Sequence, residues 1–156
     1  MLNNLNIFYN KKILIYGLGK SGLSVLKFFK KNKQVIVYDD KKKIEIKKIT
    51  NDRFDYIIIS PGIDINKCIL SKFLKKNSKN IYTDLDIFFT YYKKNKMITI
   101  TGTNGKSTTA KILYEVLKDQ KIDARLVGNI GNPVLSEKKV TNKTVFVIEA
   151  SSYQLE

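Results

Sequence analysis

The chain has 156 residues, 43% of them hydrophobic and 11% aromatic, a composition that supports a packed core and argues against disorder along its whole length. It carries a formal net charge of +15, no histidine and one cysteine, Cys68. These counts exclude histidine-based catalysis and an internal disulfide.

The basic residues are nearly all lysines spread along the chain without a groove-reading motif, which favours a compositional bias over a nucleic-acid partner. No apolar run approaches the roughly 20 residues of a membrane span. The polar N-terminus MLNNLNIFYNKK lacks the apolar region of a signal peptide. Because a lone cysteine also suits a reducing compartment, these features predict a cytoplasmic protein that inserts into no membrane.

Short apolar runs alternate with amphipathic stretches through the first part of the chain. Such alternation predicts a parallel sheet with helices on both faces, here a Rossmann-like domain over residues 1–93. Aromatic residues recur at helical spacing in the last predicted helix, so we expect them in a core. The predicted strands are 12–17, 34–39, 55–60 and 80–84, and the predicted helices are 20–31, 66–76 and 85–94.

A second series of the same kind follows the charged segment KKNK at 93–96, which we interpret as a linker. Three strands are few for a parallel sheet, so residues 94–156 are expected to form the incomplete start of a second α/β domain. The predicted strands of this series are 97–102, 124–128 and 144–150, and its predicted helix is 106–118.

Residues 17–22, GLGKSG, fit the pattern G-x-G-x-x-G between a predicted strand and a predicted helix. Glycines let the backbone turn tightly near a phosphate, and a helix N-terminus adds amide donors. Asp39 ends the next strand, where an acidic residue commonly meets a nucleotide's sugar or base. Ser60 and Gly62 follow the third strand at the same edge. The arrangement indicates a nucleotide site, usually that of an NAD dehydrogenase; close packing and a plain turn are the alternatives.

The segment ITITGTNGKSTT at 98–109 runs from a predicted strand through a glycine-rich loop into a predicted helix. Backbone amides of such a loop cradle phosphates, Lys106 can supply charge to the terminal phosphates, and the hydroxyl of Ser107 can reach Mg2+. The segment departs from G-x-x-x-x-G-K-[ST], because Ile100 stands five positions before Gly105. It still predicts an ATP-binding phosphate loop, and residues 94–156 as the truncated start of a P-loop ATPase α/β domain.

Two further features follow predicted strands of this second series. Glu149 ends the strand VFVIEA, where its carboxylate is placed to share a Mg2+ ion with Ser107; an ordinary polar strand end is the alternative. The segment GNIG at 128–131 also follows a strand. Three loops are therefore expected to converge on the edge where open α/β sheets bind ligands.

Several segments, taken in order, resemble those of the Mur ligase family. TGTNGKST resembles the phosphate loop of Mur ligases and of folylpolyglutamate synthases, but the latter lack a comparable N-terminal unit. Alanine-adding Mur ligases carry a GIGG-type first loop, which this chain does not have. The segments similar to those of the D-glutamate-adding members are GLGKSGLS, ISPGI, TDLDIFF, VGNIGNP and IEASSYQLE.

This resemblance implies three domains: an N-terminal UDP-binding domain, a central ATPase domain and a C-terminal domain. It implies an enzyme of peptidoglycan synthesis that uses ATP and Mg2+ and acts as a monomer. ATP would phosphorylate the carboxylate of UDP-N-acetylmuramoyl-L-alanine, and the amine of D-glutamate would attack the acyl phosphate. The first glycine loop would then bind UDP, not NAD.

The resemblance also implies roles for individual residues. Lys106 would hold the β- and γ-phosphates and, with Glu149, serve catalysis; Ser107 and Glu149 would hold Mg2+. The ATP-binding loop would comprise Gly102, Thr103, Asn104, Gly105, Lys106, Ser107 and Thr108. The residues near the UDP-linked substrate would be Gly19, Lys20, Ser21, Asp39, Asp40, Ser60 and Gly62, with Asn129, Ser151 and Gln154 at its muramoyl-alanine end.

Two departures from the family pattern affect these expectations. Asp40 and Lys41 stand where the family often has Thr-Arg, which changes the expected uracil contacts. The family's carbamylated lysine, a later histidine and the C-terminal domain lie outside these 156 residues, so we expect no ligation by this chain alone. The alternatives are a nucleotide-binding fragment without turnover, another Mur ligase family member, an NAD(P) dehydrogenase and a basic nucleic-acid-binding protein.

Overall fold

The computed structural model describes residues 8, 10–41 and 46–151, and its parallel sheets with helices confirm the predicted α/β class. The chain divides into two compact units, residues 1–87 and 88–156. The functional domains predicted over 1–93 and 94–156 remain predictions.

The first unit contains a four-stranded parallel sheet in the order β2-β1-β3-β4. Its apolar segments form strands because β-branched residues pack well on a pleated sheet that is covered on both faces. Tyr16 pairs with Tyr38 on one side and with Ile59 on the other, so three strands end level. The strands are β1 (Ile13–Tyr16), β2 (Val35–Tyr38), β3 (Tyr56–Ile59) and β4 (Ile81–Tyr82).

Four helices follow strands or loops of this part of the chain, and three of them have a predicted end that was wrong. The last of the four ends at Tyr91 instead of residue 94. The first helix stops at Phe28 and is capped by the buried Phe29, because the charged KKNK of 30–33 that follows offers no further apolar position to bury. The third begins only at Ser71, since Asp64 accepts a hydrogen bond from the amide of Asn66 and holds that segment in turns. The helices are α1 (Lys20–Phe28), α2 (Ile46–Thr50), α3 (Ser71–Lys76) and α4 (Asp84–Tyr91).

The second unit contains a three-stranded parallel sheet in the order β5-β7-β6. The central strand is buried throughout, and its last residue, Glu149, pairs with Ile100 and Gly128. Phe88 and Tyr92 pack on Phe146, with ring centroids 4.8 and 5.0 Å away, as expected of core aromatics. The elements are β5 (Lys96–Ile100), α5 (Lys106–Asp119), β6 (Ala124–Gly128) and β7 (Val145–Glu149). Among the described residues, no helix has the length and apolar character to cross a membrane.

Candidate functional site

The loop between β5 and α5 is exposed and ends in a left-handed glycine. Gly105 has φ 75° at the N-cap of α5, a conformation that L side chains rarely adopt. The ammonium of Lys106 lies back across the loop, 2.6 Å from the carbonyl oxygen of Gly102 and 3.4 Å from that of Thr103. The loop therefore collects a positive charge and the free amides of a 14-residue helix in one place.

Ser107 and Glu149 lie side by side next to this loop. The Ser107 hydroxyl donates a hydrogen bond of 3.0 Å to Oε2 of Glu149, across 42 residues of sequence. Glu149 is only 4% exposed, whereas Ser107 is exposed in the first turn of α5. The pair joins the end of β7 to the start of α5, so it depends on both elements.

The Ser107–Glu149 pair suits a magnesium ion in ligand type and in spacing. Mg2+ prefers oxygen ligands in octahedral geometry at about 2.0–2.1 Å, which places two adjacent ligands about 2.9 Å apart. The observed separation of the two oxygens is 3.0 Å. Among the described residues, no group of three or more His, Cys, Asp or Glu side chains could hold a metal.

Backbone hydrogen bonds bring the other loops of the second unit to the same sheet edge. The amide of Asn129 donates a hydrogen bond of 2.9 Å to the carbonyl oxygen of Glu149. The amide of Ala150 donates one of 3.1 Å to the carbonyl oxygen of Ile100. Asn129 is exposed beside the end of β7, and Ser151 follows Ala150 directly. Thr103, Asn104 and Thr108 are exposed at the loop and the helix start, while Gln154 lies outside the described residues.

The glycine loop of the first unit packs tightly against its own helix. A Cβ atom on Gly22 would lie 1.8 Å from the carbonyl oxygen of Gly17, so only glycine fits there. The Ser60 hydroxyl donates to that same carbonyl at 3.0 Å. Gly19 caps α1 without a side-chain hydrogen bond, and Lys20 is exposed after it. The close-packing role therefore holds for Gly17 and Gly22, whereas a Cβ atom on Gly19 would meet nothing within 4 Å. This packing leaves the amides at the start of α1 available to a ligand.

The two acids after β2 have separate structural roles. Asp39 accepts hydrogen bonds from the amides of Leu18, at 2.7 Å, and Lys41, at 3.0 Å, and so ties the glycine loop to its own turn. Asp40 is exposed and accepts a hydrogen bond from the hydroxyl of Tyr16. The structure thus brings both predicted acids to the rim of the glycine loop, where Gly62 is also exposed.

Sequence reasoning missed Asp84, a buried acid at the start of α4. It is 5% exposed, and burial raises the pKa of its carboxyl, although a hydrogen bond with the Ser21 side chain acts in the opposite direction. The Asp84 carboxyl therefore lies beside Ser21, in the first turn of α1. The segment TDLDIFF contained this acid, but its pattern did not indicate which residue it would contact.

Comparisons with known proteins agree with this geometry. A family model described as the Mur ligase middle domain matches residues 100–156. A UDP-N-acetylmuramoylalanine–D-glutamate ligase from Rickettsia conorii is 36% identical over 97% of this chain and 33% of its own length. Over almost its whole length the chain is similar to Mur ligases. Ligases of the same name from Caldicellulosiruptor bescii and Francisella tularensis subsp. novicida are 32% and 38% identical, over 94% and 93% of the chain.

The matches cover different parts of the chain. The Mur ligase middle domain model covers the phosphate loop, the GNIG segment and Glu149, all in the second unit. The ligases cover the first unit as well. The chain nevertheless spans only about a third of the length of the curated relatives it matches, 36% of one and 33% of another. The similarity therefore extends over almost all of this chain, but over only about a third of each complete ligase.

Proposed function

We propose that this chain supplies the UDP-substrate site and the ATP phosphate loop of a ligase that adds D-glutamate to UDP-N-acetylmuramoyl-L-alanine in peptidoglycan synthesis. The observation that carries the proposal is the Ser107–Glu149 pair beside the phosphate loop. Support comes from relatives that are named for this activity and align over both units. Because the chain spans about a third of those relatives, the complete reaction belongs to a complete ligase.

The proposed reaction forms an amide in two steps. A carboxylate oxygen of the muramoyl-alanine substrate attacks the γ-phosphorus of ATP, and the bond to the β–γ bridging oxygen breaks to release ADP. The amine of D-glutamate then attacks the carbonyl carbon of the acyl phosphate, and inorganic phosphate leaves. The first step is needed because a carboxylate has no good leaving group until one of its oxygens is phosphorylated.

The residues of the second unit position the triphosphate for the first step. Loop amides between Gly102 and Gly105 and the N-terminus of α5 would hold phosphate oxygens. Lys106 would turn from the loop carbonyls it now contacts toward the terminal phosphates, which are stronger acceptors. Ser107 and Glu149 would hold Mg2+, which neutralises phosphate charge as the γ-phosphoryl group is transferred. Thr108 would support the start of α5.

The residues of the first unit would bind the uridine diphosphate part of the substrate. The free amides at the start of α1, with Lys20 and Ser21, form an anion site for the diphosphate. Asp39 and Asp40 lie at the rim of the same loop, together with Ser60 and Gly62. We assign Asn129, Ser151 and Gln154 to the muramoyl-alanine end of the substrate. The protein would act as a cytoplasmic monomer without a nucleic-acid partner.

A calorimetric titration of the 156-residue chain tests the proposal against its closest alternative. We expect UDP-N-acetylmuramoyl-L-alanine to bind more tightly than NAD, and ATP to bind more tightly when Mg2+ is present. The dehydrogenase alternative leaves the phosphate loop and Glu149 without a role, and it predicts the opposite order. Tighter binding of NAD would therefore overturn the proposed function.

A further inference from the structure

The first turn of α1 contacts a buried acid from another helix. Asp84, the first residue of α4, is only 5% exposed, and its carboxyl forms a hydrogen bond with the Ser21 side chain. Because this bond favours the charged form of Asp84, the Ser21 hydroxyl is the donor and the carboxylate is the acceptor. The single proton of that hydroxyl is therefore directed toward Asp84 and is not available to a ligand.

The same turn of α1 is otherwise open to an anion. Gly19 caps the helix without a side-chain hydrogen bond, and a Cβ atom on it would meet nothing within 4 Å. The helical hydrogen bonds begin where the amide of Leu23 donates to the carbonyl oxygen of Gly19 at 2.9 Å. The amides of residues 20–22 precede that bond and can donate to phosphate oxygens. An ionised Asp84 opposes this binding, because it places a negative charge beside the same turn.

The charged groups around Asp84 favour its neutral form. Burial raises the pKa of its carboxyl, and the like charge of Asp86, on the same turn of α4, acts in the same direction. Hydrogen bonds from Ser21 and from backbone amides, that of Leu85 at 3.1 Å, act in the opposite direction but do not outweigh burial. Lys20, which precedes Ser21 in α1, is exposed. A phosphate group at this turn would add a further negative charge and so favour protonation of Asp84.

We propose that Asp84 is a positioning residue that takes up a proton when the diphosphate of a nucleotide binds at the start of α1, and that this proton turns the Ser21 hydroxyl toward the phosphate. The proposal rests on the proposed function, in which the first unit holds a UDP-linked substrate. The proton comes from the solvent and forms the O–H bond of the Asp84 carboxyl. That group then donates to Oγ of Ser21, whose own O–H bond stays intact and donates to a phosphate oxygen.

Calorimetric titration of the 156-residue chain with UDP-N-acetylmuramoyl-L-alanine tests this linkage. Neither the disubstituted diphosphate nor the carboxylate of that ligand changes its charge near neutral pH, so an exchanged proton is bound by the protein. Titrations in two buffers of different ionisation enthalpy, repeated at several pH values, count the exchanged protons. We expect uptake approaching about one proton per bound ligand, and an affinity that rises by as much as about 10-fold for each unit by which the pH falls.

Asp84→Asn holds the pair in the form expected of the bound state. The asparagine amide carries no charge and can donate to Oγ of Ser21. The variant should therefore bind the ligand at least as tightly as the wild-type chain at about pH 8, and its affinity should change less than about twofold down to about pH 6. Adding Ser21→Ala should weaken its binding roughly 10-fold, the scale of one hydrogen bond to a charged group. Loss of a merely structural acid would weaken binding instead.

Asp86→Asn is the matched control. Asp86 is exposed, and it accepts a hydrogen bond of 2.6 Å from the amide of Thr83, a contact that asparagine can keep. The substitution removes the same charge from the same turn and should leave the proton uptake in place. Binding by the wild-type chain without proton uptake, uptake that persists in Asp84→Asn, or weaker binding by that variant would overturn the role of Asp84. Absence of ligand binding by the wild-type chain at every pH would instead overturn the proposed function on which that role rests.

Discussion

Ser107 and Glu149, 42 residues apart in the sequence, are joined by a hydrogen bond of 3.0 Å between the start of α5 and the end of β7. The contact exists because β7 lies between β5 and β6, so that Glu149 pairs with Ile100 at the point where the phosphate loop begins. Two oxygens at this separation can occupy adjacent positions around one Mg2+ ion.

Replacing the Glu149 carboxylate should abolish the magnesium dependence of ATP binding by this chain. Glu149→Gln keeps the shape of the side chain and its contact with Ser107, but removes the charge that favours a divalent cation. We expect ATP affinity in the presence of Mg2+ to fall by about 10- to 100-fold, toward the value without the ion, by analogy with loss of a metal-supporting group. Titrations with and without Mg2+ provide the measurement.

Glu115→Gln is the matched control for that experiment. Glu115 is an exposed residue of α5, and the substitution changes the net charge of the chain by the same amount. It should leave the magnesium dependence unaltered. Equal behaviour of the two variants would show that Glu149 acts only through general electrostatics.

Lys106→Ala should reduce ligation without impairing binding of the UDP-linked substrate. In phosphoryl transfer the protein mainly positions groups and neutralises charge, so removing this ammonium should cost roughly 3–4 kcal/mol of transition-state stabilisation, or about 100- to 1000-fold in kcat. The measurement requires a complete ligase that begins with this chain. Lys111→Ala, at an exposed position on the same helix, should change kcat less than about twofold.

The 156-residue chain alone should show no D-glutamate-dependent release of phosphate from ATP. The two nucleotide loops are present, but the later lysine and histidine implied by the resemblance are not part of this sequence. A phosphate-release assay with UDP-N-acetylmuramoyl-L-alanine, in a preparation free of host ligase, measures this directly. Clear turnover would show that these 156 residues suffice for catalysis.

The ion pair between Lys12 and Asp52 should stabilise the first unit at neutral pH and lose its effect in acid. The Lys12 ammonium lies 2.6 Å from Oδ1 of Asp52, and this hydrogen bond lowers the pKa of the carboxyl below its ordinary value of 3.8. A lowered pKa means that the stabilisation is complete above 3.8 and disappears as the pH falls through the folded value. Asp52→Asn should therefore cost about 0.5–1 kcal/mol of unfolding free energy at pH 7 and progressively less below pH 3.8.

Chemical denaturation at several pH values measures this difference. Lys12→Met alone, and combined with Asp52→Asn, completes a double-mutant cycle that isolates the pair from the backbone contact that Asp52 also makes with Arg53. A cost that stays constant from pH 7 to pH 2 would assign the effect to that backbone contact, not to the ion pair.

The alternation of apolar runs and helices predicted most of the fold, since each core strand is a short, nearly continuous apolar segment bounded by polar residues. The helix α2 escaped prediction because five residues, Ile46–Thr50, are too few to show a 3.6-residue period. The end of α1 and the start of α3 depend on local features that oppose helix formation, the charged run at 30–33 and the Asp64 side chain. The periodicity of apolar residues does not reveal such features.

Site residues within one continuous motif could be predicted from the sequence. Contacts that form only when distant strands pair could not. The phosphate loop indicated Lys106 and Ser107 directly, because strand, glycine and helix are consecutive. Tyr16 gave no signal, since its contact with Asp40 arises only when β1 and β2 pair in the register that aligns Tyr16 with Tyr38. Likewise, no sequence pattern indicated that Asp84 would bond to Ser21.

The fate of the substrate carboxylate oxygens tests the central claim most directly. UDP-N-acetylmuramoyl-L-alanine labelled with 18O in both carboxylate oxygens is converted by a complete ligase that begins with this chain, and the released phosphate is analysed by mass spectrometry. If the phosphate loop activates that carboxylate, each phosphate carries one 18O atom, because the oxygen that attacked phosphorus leaves with it. Phosphate without 18O, formed together with the amide product, would contradict an acyl phosphate and with it the role proposed for this chain.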